Sequence, residues 1–75
     1  MSRDIEFKEE KDGLYKAIVR DNHLTKDIPL LFEKHQLLQI KKNLQELTLS
    51  EDISFEYFSA IIAGCIITEM KRRPS

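Results

Sequence analysis

The chain has little of several residue types on which whole classes of protein depend. Its 75 residues include one cysteine, two histidines, two glycines and two prolines, and they include no tryptophan. One cysteine excludes an internal disulfide, and the wide spacing of His23, His35 and Cys65 excludes an ordinary zinc site. The isolated glycines, Gly13 and Gly64, exclude a glycine-rich phosphate loop. We therefore expect no metal, no cofactor and no catalytic group, and we predict that the protein is not an enzyme.

An excess of charge of one sign is also missing. Twelve Lys and Arg residues stand against thirteen Asp and Glu residues, for a formal net charge of -1. Without a global basic field, binding to nucleic acid would depend on a local basic patch. The candidate patch comprises Lys41, Lys42, Lys71, Arg72 and Arg73. Charge runs this short usually serve solubility, so nucleic acid is a less favoured partner.

The chain lacks a hydrophobic run long enough for a membrane span. The uninterrupted apolar segment, Tyr57 to Thr68, has about 12 residues, whereas a spanning helix needs roughly 18 to 20. Extending it back to Ile53 would include Glu56, which is costly inside a bilayer. Met1 to Lys11 is polar where a signal peptide would need an apolar stretch. We therefore expect a cytoplasmic protein and do not expect a membrane as its partner.

Residues 4–20 predict a β-hairpin. Apolar and charged residues alternate before Asp12-Gly13, a preferred pair for a two-residue turn, and an apolar segment follows it. With this pair as the loop, Phe7 is predicted to lie opposite Ile18, which gives an aromatic/β-branched pair. A helical interpretation of the same segment stays open as the alternative.

Residues 26–47 are predicted to form a middle helix, with Thr25 or Asp27 as its N-cap and Pro29 in its first turn. The later apolar residues recur on one helical face. These residues are Leu37, Ile40, Leu44 and Leu47.

The first part of this middle helix has a different phase. Ile28, Leu31 and Phe32 point almost opposite to the later apolar face. Either the helix breaks between residues 33 and 36, or one long helix packs against two elements on two sides. We expect the second arrangement, because Glu-Lys-His-Gln contains no helix breaker.

Residues 51–72 are predicted to form a last helix that is apolar almost all round. Ser50 is its predicted N-cap, and Pro74 lies beyond its basic C-terminal end. A hairpin and one helix cannot cover a helix that is apolar on all sides, so we predict that a second chain covers it. Small residues four apart, such as Ala60 and Gly64, would let another backbone approach closely. The predicted interface comprises Phe55, Phe58, Ser59, Ile62, Ala63, Gly64, Ile66 and Ile67.

These elements predict a single domain over residues 1–75, with residues 1–3 and 73–75 frayed. The predicted fold is mainly α (α+β): an N-terminal β-hairpin followed by an antiparallel pair of long helices, completed by dimerisation. An all-α three-helix bundle is the alternative. The predicted function is that of a small regulatory or adaptor protein that binds itself as a homodimer, a larger protein, or both. The alternatives are a small dimeric nucleic-acid-binding regulator and a membrane-associated small protein.

Overall fold

The computed structural model describes residues 3–50 and 52–72, which form an α+β fold. Three antiparallel strands in the order β1-β2-β3 are followed by two helices. The elements are β1 (Arg3–Lys11), β2 (Leu14–Asp21), β3 (Leu24–Glu33), α1 (Lys34–Gln45) and α2 (Phe55–Lys71). Both predicted folds, the hairpin with a pair of long helices and the three-helix bundle, are therefore wrong. The main difference is a third strand in place of the first part of the middle helix.

The turn between β1 and β2 lies where the sequence predicts it. Lys11 pairs with Leu14, so Asp12-Gly13 forms the two-residue loop. Gly13 has φ +81°, a conformation that glycine adopts without steric cost. Asp12-Gly13 therefore supplies the positive φ that the turn requires.

The register beyond this turn differs from the prediction by one residue. Phe7 pairs with Ala17 and not with Ile18, because the pairing shifts between Glu9 and Lys11. The shift leaves Glu10 as the extra residue of a β-bulge. It places Ala17, which is fully buried, on the face of the sheet that packs against the helices.

The predicted middle helix over residues 26–47 is wrong in its first part, which is strand β3. Asn22 has φ 58° in the turn that returns the chain antiparallel to β2. Ile28 and Phe32 are buried in the core, and Leu30 packs against it. A spacing of two residues is typical of a strand. As a strand, this segment places all three apolar side chains on the core face of the sheet, and their burial there stabilises the strand over a helix. Pro29 is compatible with the strand because β3 lies at the edge of the sheet.

Helix α1 begins at the point where the apolar phase changes. Glu33 is the N-cap in place of Thr25 or Asp27, and its backbone N–H donates to Gln36 Oε1 at 2.8 Å in a capping box. Leu37 and Ile40 are buried. The break that the sequence analysis rejected between residues 33 and 36 is therefore real, and it separates a strand from a helix.

Helix α2 begins later than predicted. Ser54 is its N-cap and accepts a hydrogen bond from the Tyr57 N–H at 3.1 Å. Ser50, the predicted N-cap, instead accepts from the Asp52 N–H in the loop before the helix. The predicted start at residue 51 and the predicted frayed residues 1–2 and 73–75 lie outside the described residues. Arg3, also predicted to be frayed, is the first residue of β1.

The core lies between one face of the sheet and the two helices. β2 supplies Val19, β3 supplies Phe32, α1 supplies Ile40 and α2 supplies Ile62 and Ile66, all of them at most 1% exposed. The Phe7 and Phe32 rings meet edge to face with their centroids 6.2 Å apart. Apolar side chains from all five elements thus contribute to one core.

The opposite face of the sheet is charged. Lys16 Nζ lies 3.1 Å from Asp27 Oδ2 and 3.3 Å from Glu10 Oε1, and Arg20 bonds to Glu6. Two hydrogen bonds raise the pKa of Lys16 above its ordinary value. The bond to Asp27 has the larger effect and the bond to Glu10 the smaller. A raised pKa means that this pairing stabilises the fold below the ordinary lysine pKa and is lost as the pH rises through the folded-state value. At neutral pH the pairing is intact.

Candidate protein-binding groove

The reactive side chains of the chain are those of His23, His35 and Cys65, together with the carboxylates. Among residues 3–50 and 52–72, no three His, Cys, Asp or Glu side chains are placed to hold a metal ion. His35 Nδ1 lies 3.4 Å from Glu33 Oε1, and both side chains are exposed. Partial burial raises the pKa of the Cys65 thiol, which lowers its thiolate content. These contacts describe an exposed His35–Glu33 contact and an unactivated thiol.

Helix α2 uses most of the predicted interface residues in the chain's own core. Phe58, Ser59, Ile62 and Ile66 are buried. Phe55 and Ala63 are half buried and pack against the core, whereas Gly64 and Ile67 are exposed. The cover that the sequence analysis assigned to a second chain is supplied over much of the helix by the sheet and α1.

An apolar groove of about 360 Å³ lies between α2 and β3. Ile28, Pro29 and Leu30 line it from the strand, and Ala60, Ala63 and Ile67 line it from the helix. Ser59 and Lys26 complete the lining. Alanine side chains on α2 leave space that larger side chains would fill.

The groove has few polar groups in its lining, which favours an apolar occupant. The buried hydroxyl of Ser59 donates to the Phe55 carbonyl at 2.9 Å, so its hydrogen is already used within the helix. Lys26 is exposed and is one of the lining residues. The groove therefore combines an apolar interior with one exposed lysine in its lining.

The sequence analysis found one wall of this groove and missed the other. The small residues of α2 were singled out as a place of close approach, and Ala60 and Ala63 do line the groove. Pro29 and Leu30 were missed because that segment was assigned to a helix. The spacing of two residues between Ile28, Leu30 and Phe32 was the sequence pattern that could have indicated a strand here.

Gly64 follows the groove-lining residue Ala63, and the space around its Cα is open. A Cβ atom built at this position has no neighbour within 4 Å, and the residue is exposed in the interior of α2. Close packing within the chain does not require glycine here.

We expect Gly64→Ala to raise the free energy of unfolding by about 0.5–1 kcal/mol, because alanine has the higher helix propensity. Gly13→Ala is the matched control and should lower it by about 1 kcal/mol, since the positive φ of Gly13 strains a residue with a Cβ atom. Urea denaturation followed by circular dichroism measures both changes. A destabilised Gly64→Ala protein would contradict the open surroundings of Gly64.

The candidate basic patch is divided between two helices. Lys41 Nζ lies 5.6 Å from the centroid of the Phe7 ring, so this lysine packs over β1. Arg72 Nε lies 3.7 Å from Glu69 Oε1. Lys42 and Lys71 are exposed in the last turns of α1 and α2, and Arg73 lies outside the described residues. Two of the four described cations thus already have partners.

Within residues 3–50 and 52–72, neither α1 nor α2 is long and apolar enough to cross a membrane.

Comparison of the chain with protein-family models, with curated proteins and with solved structures gives no match.

Proposed function

We propose that this protein is a non-enzymatic regulatory or adaptor protein that acts by binding another protein through the groove between α2 and β3. The observation that carries the proposal is the combination of an apolar interior with an exposed cation in that groove. A cytoplasmic location is part of the proposal, because the single cysteine leaves the chain without an internal disulfide.

The size and lining of the groove favour an apolar side chain of the partner. Its volume of about 360 Å³ is near the lower end of the range for small-ligand pockets, which suits one or two side chains of a peptide segment. Burying an aliphatic or aromatic side chain against Ile28, Leu30 and Ile67 removes apolar surface of both partners from water. This burial supplies the affinity.

Lys26 supplies a preference among apolar segments. Its ammonium group attracts a carboxylate and repels a lysine or arginine placed beside the apolar anchor. The occupant that fits best is therefore an apolar side chain with an Asp or Glu close to it in the partner sequence.

The charge distribution gives less support to the nucleic-acid alternative. The open face of the sheet carries both signs, with Lys16 and Arg20 paired to Glu10, Asp27 and Glu6. A phosphate backbone would meet carboxylates as well as cations there. The membrane-associated alternative gains no support from α1 or α2, since neither helix in the described part of the chain is long and apolar enough to cross a membrane.

Filling the groove tests the proposal. Peptides selected from a displayed random library against the wild-type protein should be enriched in an apolar residue next to Asp or Glu. We expect Ala60→Leu to weaken binding of a selected peptide at least about tenfold, because the leucine side chain occupies the space of the anchor. Fluorescence titration of the labelled peptide measures the dissociation constant.

Two further variants separate this effect from general damage to α2. Thr68→Leu adds a leucine at another exposed position of the same helix and should leave binding unchanged. Lys26→Glu should weaken binding of acidic peptides and should not change the stability of the fold. A peptide that binds Ala60→Leu and wild type equally well would refute the groove as the binding site.

A further inference from the structure

The two edges of the sheet differ in their capacity to accept another strand. At the β3 edge, Pro29 has no backbone N–H, and the pairing with β2 shifts between Ile28 and Phe32. At the β1 edge, the residues from Arg3 to Glu9 pair regularly with β2 and include no proline or glycine. Among the described residues, no hydrogen bond beyond the β1-β2 pairing reaches the β1 backbone. An edge of this kind is a template for a further strand.

The apolar side chains of β1 are incompletely covered. Ile5 and Phe7 pack against the core but are only half buried. The helices pack mainly on β3. Because β1 is an edge strand of the described sheet, Ile5 and Phe7 have a neighbouring strand on one side only. A strand added at this edge would cover both residues.

We propose that β1 pairs with β1 of a second copy of this chain, antiparallel, about a two-fold axis at Glu6. The two three-stranded sheets then form one six-stranded sheet with all the helices on the same side. The proposal goes beyond the groove function, because β1 and the groove strand β3 lie at opposite edges of the sheet.

Charge complementarity selects this register. A two-fold antiparallel pairing must place side chains of the same sheet face opposite each other, so the axis has to pass through a residue position. With the axis at Glu6, every position from Arg3 to Glu9 has a partner, and the central Glu6–Glu6 pair is the one like-charge pair in this segment. The pairs, each formed twice, are Asp4 with Lys8, Ile5 with Phe7 and Arg3 with Glu9. Since Arg3 is already bonded to Asp21 of its own chain, the attraction comes mainly from Asp4 and Lys8.

Neighbouring registers pair the regular segment less well. An axis at Ile5 would pair Asp4 with Glu6. An axis at Phe7 would pair Glu6 with Lys8 but also Ile5 with Glu9, and it would leave Asp4 opposite the bulge residue Glu10. Glu6 centres the regular segment, since the bulge begins after Glu9. The two Glu6 side chains meet at the axis, but each bonds to Arg20 of its own chain, which offsets their repulsion.

A matched pair of charge reversals tests the register. Sedimentation equilibrium of the wild-type chain should show the mass rising from 8.8 kDa toward twice that value as concentration increases. Lys8→Glu should raise the dimer dissociation constant about tenfold, because two attractive pairs become repulsive. Lys11→Glu makes the same charge change in the same strand beyond the bulge and should leave the constant unchanged. Circular dichroism checks that both variants are folded.

Restoring complementarity completes the test. Asp4→Lys combined with Lys8→Glu exchanges the two charges and should return the dissociation constant to within about threefold of wild type. Equal effects of Lys8→Glu and Lys11→Glu, no restoration in the double variant, or a wild-type chain that stays monomeric at every concentration would each overturn the proposal. Ala60→Leu should not change the dimer, so the groove function and the β1 interface can fail separately.

Discussion

Replacing Ile66 by alanine is expected to lower the free energy of unfolding by about 3 kcal/mol. Ile66 is 0% exposed and belongs to the core formed by the sheet and the helices. Removing its outer carbons loses apolar burial and leaves a cavity that close-packed neighbours fill only in part. For a domain this small, such a loss is a large share of the total stability. The midpoint of urea denaturation should fall clearly.

Ile67→Ala is the matched control, because it makes the same chemical change at the next position of the same helix. Ile67 is 40% exposed and lies at the groove. Its replacement should cost about 1 kcal/mol or less in the isolated chain. Measurements are made at concentrations where the wild-type protein is monomeric. Equal losses at both positions would mean that α2 is covered on both sides, as the sequence analysis predicted for an interface helix.

Helix α2 shows what apolar periodicity can and cannot predict. Its helical state and its surplus of apolar surface follow from the residues themselves. Which residues are core depends on what packs against them, and that depends on whether the segment around Ile28 is a helix or a strand. Misassigning that segment removed the element that covers α2, so Phe58 and Ile62 were assigned to an interface.

The turns can be predicted from a few neighbouring residues, whereas the strand register cannot. Gly13 and Asn22 both have positive φ, and both residue types adopt it readily, so each turn could be placed from a few residues. The bulge at Glu10 depends on how β1 and β2 align their apolar faces over their whole length. A local pattern does not contain that information.

The candidate groove was predictable only on its helical side. Small residues four apart on α2 indicated space for a neighbour, and Ala63 was included in the predicted interface. The opposing wall comes from Pro29 and Leu30, whose side chains reach the groove only because β3 runs along α2. A site built between two elements requires both elements to be assigned correctly.

Arg3→Ala is expected to lower the free energy of unfolding by about 3 kcal/mol. Arg3 Nε lies 3.0 Å from Asp21 Oδ2, and the same guanidinium donates to the Ile53 carbonyl. Its central carbon lies 5.1 Å from the centroid of the Phe58 ring. One side chain thus joins the first residue of β1 to the last residue of β2 and to the start of α2.

The expected loss comes mainly from the partner that Arg3 leaves behind. Asp21 is 7% exposed, and its Oδ1 has no hydrogen-bond partner among the described residues. Without Arg3 its carboxylate would be buried and unpaired, which costs more than the pair itself contributes. Arg3→Lys should recover only part of the loss, because an ammonium group cannot donate to Asp21 and Ile53 through a planar fork while stacking on Phe58.

A double-mutant cycle with Asp21→Ala measures this coupling. If the cost of Arg3→Ala comes from stranding the carboxylate, the double variant should be more stable than the sum of the single losses predicts, by about 1–2 kcal/mol. Urea denaturation of the four proteins at neutral pH gives the cycle. Strict additivity, or an Arg3→Ala loss below about 0.5 kcal/mol, would show that the β1 terminus is solvated and does not hold α2 to the sheet.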